Sequence, residues 1–221
     1  SGRNGVPTVE FGADPAQQVN TMAGDITPST GSAATYFVVG NNDAVTAPGS
    51  GTGGDDERRA LAAFQGSSTD GWLFTYKNDN VRFYDGSTVL EGGSNNISKG
   101  DFVLFDVTHT GTNIDGRLFG DNVISANNAE QSGQRDNYLL GDDFTGGDNL
   151  DGELAEVIFF DRVLNEAERL IVQNYLSSKY NISFTTASND KYEHDTVYSY
   201  DVAGIGQATD GSTQLASNSS I

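Results

Sequence analysis

Two constellations of side chains hold the chemistry that the 221 residues offer. The run Gly141-Asp142-Asp143-Phe144-Thr145-Gly146-Gly147-Asp148-Asn149-Leu150-Asp151-Gly152 sets four carboxylates among glycines and exposed carbonyls. Calcium collects roughly six to eight such hard oxygens, and four aspartates with no basic neighbour repel one another unless a cation sits among them. Asp142, Asp143, Asp148 and Asp151 are therefore the expected ligands of a calcium ion. The order is not that of an EF-hand, which needs Asp at alternate positions and a closing Glu, and a solvated turn is the competing reading. In the second constellation Trp72, Phe74 and Tyr76 alternate along one strand, with Asn78, Asp79, Arg82 and Tyr84 around the adjoining turn. An aromatic platform beside hydrogen-bonding side chains suits a saccharide, which makes Trp72, Tyr76, Asn78, Asp79, Arg82 and Tyr84 the expected ligand-binding residues. An aromatic stripe of period two is also what a core strand looks like; in that case Arg82 and Tyr84, on the opposite parity, form the exposed pair.

Catalysis finds less to work with. A retaining glycoside hydrolase needs two carboxylates about 5–5.5 Å apart, which on a strand means alternate positions. Glu153 and Glu156 are three apart and are expected on opposite faces, and Asp101 and Asp106 fail the same parity test. His109 and His194 are the only histidines, neither lies beside a nucleophile-elbow sequence, and there is no cysteine. Serine-triad, thiol and common zinc chemistries lose their basis on those grounds. The chain is read as non-catalytic.

Charge narrows the partners further. Thirty-one acidic side chains against 12 basic ones leave a net charge of −19, a field in which scattered Lys and Arg cannot build a phosphate-binding surface. No nucleic acid is expected, and no apolar run approaches the roughly 20 residues of a membrane span. Asp outnumbers Glu and Arg outnumbers Lys, the composition of short strands, many turns and a solvated anionic surface. An extracellular or cell-surface, salt-tolerant setting is expected, and the opening Ser1-Gly2-Arg3-Asn4-Gly5 reads as a loop cut from something longer.

The elements that must position these groups are mainly strands. Pro7–Phe11 alternates in and out, Ala34–Val39 is dense enough for burial on both faces, and Phe102–Thr108 is β-branched and aromatic throughout. Trp72–Tyr76 and Val81–Tyr84 read as a pair around Lys77-Asn78-Asp79-Asn80, and Gly116–Phe119 is expected to turn at Gly120-Asp121-Asn122 into Val123-Ile124. Tyr138–Leu140 and Glu153–Phe160 complete the strands, and 59–65 fits strand or helix. One helix follows, near residues 165–180. Asn165 is a good N-cap with Glu168 placed for a capping box, Ala167, Leu170, Ile171, Asn174 and Tyr175 recur at helical spacing, and Asn181 can end the helix left-handed.

The run Gly152-Glu153-Leu154-Ala155-Glu156-Val157-Ile158-Phe159-Phe160-Asp161-Arg162-Val163-Leu164, leading through Glu168 to Tyr175-Leu176-Ser177-Ser178-Lys179-Tyr180, resembles the closing strand and helix of bacterial laminin-G-like domains of the concanavalin A-like lectin/glucanase superfamily. The likeness spans roughly residues 5 to 182, and the family's first strand is expected to lie outside this chain. It implies an all-β, two-sheet antiparallel jelly-roll sandwich over residues 1–182, in a secreted or surface-attached protein. Residues 183–221 then form a C-terminal tail, either strands returning to the sandwich or the start of a second β-module. Two functions stand: a non-catalytic, calcium-supported carbohydrate-binding or adhesion module whose partner is a glycan or cell-surface polysaccharide, or a structural module that spaces or assembles other parts of a larger surface protein. Carboxylate repulsion of this size is screened by ions. The melting temperature is expected to rise between 20 mM and 500 mM NaCl, and a flat profile in differential scanning calorimetry counts against self-repulsion as a destabilising force.

Overall fold

The structure, a computed structural model, describes residues 2–12, 22–30, 33–43, 58–65, 71–77, 80–84, 89–92, 97–98, 100–127, 135–142, 150–191, 206–207 and 210–214. Two six-stranded antiparallel sheets account for most of them. The back sheet runs, in spatial order, β12 (Asp121–Asn127), β11 (Asn113–Leu118), β10 (Val103–Thr110), β5 (Ala33–Gly40), β14 (Gly152–Phe160) and β3 (Val9–Phe11). The front sheet runs β4 (Met22–Thr30), β13 (Arg135–Leu140), β6 (Arg58–Gln65), β7 (Gly71–Lys77), β8 (Asn80–Tyr84) and β9 (Val89–Glu91). Short hairpins stand at either end of the chain: β1 (Gly2–Arg3) with β2 (Val6–Pro7), and β15 (Gly206–Gln207) with β16 (Thr213–Gln214). The expected all-β sandwich is the fold, and 59–65, open to either assignment in the sequence, is strand β6.

Alternation explains the two faces of the back sheet. Tyr36, Val38, Phe105 and Val107 meet Leu61, Val81 and Phe83 in the core between the sheets, while Phe37, Val39 and Leu104 point the other way. That outer face is covered by the helix α1 (Glu166–Tyr180), through Leu176 and Tyr180 together with Leu164 and Ile182. Burying apolar surface on both faces is why β5 reads as an unbroken apolar run rather than an alternating one.

The helix ends as expected. Asn165 Oδ1 accepts from the Glu168 amide at 2.9 Å, Glu168 Oε2 accepts from the Asn165 amide at 3.0 Å, and Asn181 takes the left-handed conformation at φ 50°. The chain's two ends add further caps. Arg3 donates from Nε to the Tyr180 carbonyl at 2.9 Å and from Nη2 to the Asn181 carbonyl at 3.0 Å, and Ser212 Oγ accepts from the Ala167 amide at 3.0 Å. These satisfy backbone groups that a helix leaves open at its termini. No helix among the described residues is long and apolar enough to cross a membrane.

Three expectations need correction. Of the expected stripe, Ala167 and Asn174 are buried while Leu170, Ile171 and Tyr175 are only half-buried, and Gln173, Leu176, Ser177, Ser178 and Tyr180 complete the buried face of α1. The reason is Asp106 of β10, fully buried on the face that the helix covers. Gln173 Nε2 donates to its Oδ1, Arg117 Nη1 approaches its Oδ2 at 3.5 Å, and Arg169 Nη1 donates to Gln173 Oε1 at 3.1 Å. A buried carboxylate needs such partners, so the helix turns a polar face to it. The β11–β12 turn lies at Phe119–Gly120, with φ of 50° and 84°, rather than at 120–122. Two positive φ angles make the tight twist that matches paired strands, and the aromatic Phe119 hides the usual Asn-Gly or Asp-Gly signature. Strands β4 and β9 were not expected: β4 holds Gly24 and Pro28, tolerated because it is an edge strand.

Burial raises the Asp106 pKa above its ordinary 3.8, against the opposing pull of Arg117, Arg169 and the Gln173 hydrogen bond. The folded state thus holds that proton more readily than the unfolded chain. The stability it contributes is present below the ordinary pKa and is lost as pH rises through the raised one. Asp106→Asn imitates the protonated carboxyl, so its melting temperature should gain on that of the parent between pH 4 and pH 8. A constant difference across that range, in thermal melts followed by circular dichroism, contradicts the burial argument.

Candidate functional site

One end of the sandwich is built by three chain segments: Asn41–Asp43 leaving β5, Ser98–Asp101 entering β10, and the two ends of the β13–β14 connection at Gly141–Asp142 and Leu150–Asp151. Asn41 joins them. Its amide and side-chain oxygen form a two-way bridge to Glu153, with Asn41 N donating to the Glu153 carbonyl at 2.8 Å and Glu153 N donating to Asn41 Oδ1 at 2.6 Å. Its Nδ2 donates to the Gly100 carbonyl at 3.2 Å. Beside it the Asp43 amide donates to the Asp151 carbonyl at 2.5 Å, and the Gly100 amide to the Asn42 carbonyl at 3.0 Å. The connection itself is pinched shut where Leu150 N donates to the Gly141 carbonyl at 2.8 Å. Gly141 has φ 81°, and a Cβ there would run into the Phe11 ring, so only glycine serves.

Of the four expected calcium ligands, this geometry brings Asp142 and Asp151 to the same end, Asp142 buried and Asp151 half-buried. Asp143 and Asp148 lie outside the described residues. Asp43 joins from β5, and Asp101 accepts from the Ser98 amide at 3.0 Å. Among the described residues no three acidic or histidine side chains converge as a metal site. Asn41 and Asp43 were missed by sequence reasoning; the signal available was the run Gly40-Asn41-Asn42-Asp43 directly after the densest strand.

The second candidate lies on the front sheet. Register sets Phe74 opposite Phe83 and Tyr76 opposite Val81. Val81 and Phe83 belong to the core, so the alternate positions 72, 74 and 76 share the core face of the sheet. The side chains of Trp72 and Tyr76 lie outside the described residues, as do Asn78 and Asp79 altogether. Arg82 and Tyr84 take the opposite, outer face. There the register forms two rows, Thr75–Arg82–Glu91 and Leu73–Tyr84–Val89. Arg82 is buried rather than exposed, and its Nη2 meets Glu91 Oε1 at 2.8 Å; Tyr84 is half-buried.

The carboxylates weighed for catalysis are occupied. The parity expected of Glu153 and Glu156 is undone by a bulge, since Leu154 lies opposite Gly40 and Glu156 opposite Val39, which leaves Ala155 as the extra residue. Both glutamates therefore share the face that α1 covers. Glu156 Oε2 receives Lys179 Nζ and the Tyr180 hydroxyl, each at 2.9 Å, and Glu153 Oε2 receives the Thr8 hydroxyl at 2.5 Å. Burial, then the neighbouring Glu156 charge, pushes the Tyr180 phenol up to about 12, so it stays a donor. Asp101 is exposed while Asp106 is buried under the helix. His109 is buried, with Nδ1 accepting from the Gly111 amide at 3.0 Å, and His194 lies outside the described residues.

No protein-family model and no curated protein sequence matches the chain. Solved structures do. A protein of Bacteroides ovatus, named as a provisional carbohydrate-binding protein, superposes with a TM-score of 0.52 at 11% identity, over 72% of this chain and 44% of its own. Domains LG4-5 of the mouse laminin alpha1 chain give a TM-score of 0.50 at 8% identity, over 72% of this chain and 44% of their own. The chain thus spans less than half the length of either. The sialidase CBM40 of Ruminococcus gnavus, solved with sialyllactose, gives 0.49 at 12% identity, over 69% of this chain and 97% of its own. Likeness at these identities is one of fold: the chain has the concanavalin A-like, laminin-G-like sandwich.

The junction at Asn41 depends on close backbone approach. A Cβ at Gly152 would collide with the Asn41 carbonyl oxygen and lie 2.9 Å from Asn41 Oδ1. Gly152→Ala is expected to cost about 1–3 kcal/mol, read from the urea midpoint. An unchanged midpoint would show that this end of the sandwich yields without penalty.

Proposed function

We propose that the chain is a non-catalytic carbohydrate-binding module of a bacterial secreted or cell-surface protein, supported by calcium. The observation that carries the reading is the outer face of β7, β8 and β9, where the row Thr75–Arg82–Glu91 runs beside the row Leu73–Tyr84–Val89. A saccharide presents apolar C–H faces and a rim of hydroxyls, so it is matched by an aromatic or aliphatic strip next to planar hydrogen-bonding groups. Tyr84 is the ligand-binding residue on this face, with the buried Arg82 beside it paired to Glu91; Trp72 and Tyr76 belong to the neighbouring strand, and Asn78 and Asp79 lie between β7 and β8 in the sequence. The Bacteroides ovatus protein of like fold is named for carbohydrate binding, which supports the reading. Glu153, Glu156 and Asp106 are engaged in structural contacts, which favours binding without cleavage.

Calcium belongs at the other candidate, with Asp142, Asp143, Asp148 and Asp151 as ligands. The paired backbone at Gly141 and Leu150 brings the two ends of that connection together, and Asp142 is held where water cannot easily screen it. A chain of net charge −19 gains from any bound cation.

A glycan array probed with and without a chelator tests both parts. Retention of at least one glycan, reduced by the chelator and restored by millimolar calcium, is the expected result. Calcium at about 100 times its dissociation constant should add about 2.7 kcal/mol to stability, a shift that Asp142→Asn with Asp151→Asn abolishes. No retained glycan, together with concentration-dependent self-association in sedimentation, supports the spacer function instead. An unmoved melting temperature on adding calcium to chelated protein removes the metal.

A further inference from the structure

The Arg82–Glu91 pair is unequal in its access to solvent. The arginine side chain is 10% exposed and the glutamate 47%. The cation is thus buried on the outer face of the front sheet, and the anion stands more exposed beside it on the edge strand β9. An ion pair of this kind does not offer a positive charge to a ligand. It offers carboxylate oxygens, held in one orientation by the guanidinium alongside, which accept hydrogen bonds. The half-buried Tyr84 lies in the adjacent row, opposite Val89 of the same strand that supplies Glu91.

We infer that this face takes uncharged saccharides, that Glu91 is the residue which accepts their hydroxyl hydrogens, and that carboxylated or sulfated sugars are rejected there. The inference rests on the glycan-binding reading above and gives it a ligand class. Three observations point the same way. An acidic sugar would need an accessible cation, and Arg82 is buried, with Nη2 on Glu91 at 2.8 Å and an unpartnered Nε that is itself out of reach of solvent. It would have to approach past the exposed carboxylate itself. It would also enter the field of a chain carrying −19, in which like-charge approach is slowed and weakened. A neutral sugar meets none of these costs, and its hydroxyls make charge-assisted bonds to Glu91, roughly twice as strong as those between neutral groups.

Titration calorimetry in millimolar calcium, repeated with EDTA to identify calcium-bridged contacts, tests the ligand class. The probes are cellohexaose, xylohexaose and mannohexaose against hexagalacturonate and a sulfated hexasaccharide. At least one neutral hexasaccharide should bind with an affinity that moves less than about twofold between 20 and 500 mM NaCl, as screening predicts for an uncharged ligand. The acidic probes should not bind at the same concentrations. Glu91→Gln keeps the shape but removes the charge, and should weaken the neutral ligand about tenfold; it also leaves the buried Arg82 without its counter-ion, so its melting temperature should fall, and its affinity is read at a temperature where circular dichroism shows it folded. An acidic probe that outbinds the neutral ones at low salt overturns the inference and leaves glycan binding standing. So does a Glu91→Gln variant with undiminished affinity for the neutral ligand. Should that variant fail to fold, the salt series on the parent protein decides alone. If no probe of either charge binds and the array retains nothing, the glycan-binding reading falls, and this inference with it.

Discussion

Double-sided burial of β5 is the constraint around which the chain is organised. From Ala34 to Gly40 every residue of that strand is buried, one parity against the front sheet and the other beneath α1. A strand of this kind cannot stand at a surface, so the back sheet needs a cover on its outer face, and the helix must be held there firmly. The caps do this from far along the chain: Arg3 and Asn4 at the C-terminal end, Ser212 at the N-terminal end. Covering the back sheet also covers Asp106. A carboxylate taken out of water costs several kcal/mol unless paired, and Arg117, Gln173 and Arg169 supply the pairing. The helix is thus apolar where it meets Phe37 and Val39 and polar where it meets Asp106.

That division explains what could be seen in the sequence beforehand and what could not. Local signals were legible. The Asn165 cap, the Glu168 reach-back and the left-handed Asn181 each involve residues within a turn of one another. Runs such as Ala34–Val39 and Phe102–Thr108 carry their burial in their own composition. The helix face was not legible, because its polar character answers to a carboxylate 67 positions away. Periodicity on α1 alone selected Leu170 and Ile171; the tertiary partner Asp106 selected Gln173. The edge strand β4 was hidden by Gly24 and Pro28, and the Phe119–Gly120 turn by an aromatic in a position that usually takes Asn or Asp.

The candidate site divides along the same line. Parity alone assigned Arg82 and Tyr84 to the face opposite the Trp72 stripe, and the register of β7 with β8 agrees. The partner of Arg82 could not be found that way, since Glu91 arrives on a separate strand. Nor could the role of Asn41 at the other end of the sandwich. Its side-chain bonds span 59 and 112 positions, and nothing near it in sequence distinguishes it from Asn42. Residues that join loops are chosen by what the fold brings beside them, so a single sequence names the loops and not the joint.

The acid pair on β14 shows how one structural device can settle a chemical question in an unexpected way. Alternation predicts that Glu153 and Glu156 point apart, and on that ground they were set aside. The bulge at Ala155 returns them to one face, so parity no longer separates them. What engages Glu156 is the helix. The Tyr180 hydroxyl lies 3.1 Å from the Ala155 carbonyl and 2.9 Å from Glu156 Oε2, sharing its one hydrogen between the bulge and the carboxylate, and Lys179 completes the second contact to Glu156. On a bare sheet the same two glutamates would share an open face. Here the cover that β5 demands consumes Glu156, and Thr8 on the segment leading into β3 takes Glu153. The acids of the back sheet are thus taken up by structural contacts, whereas on the front sheet, which the helix does not cover, the described side chains of Asp25 and Glu91 are exposed.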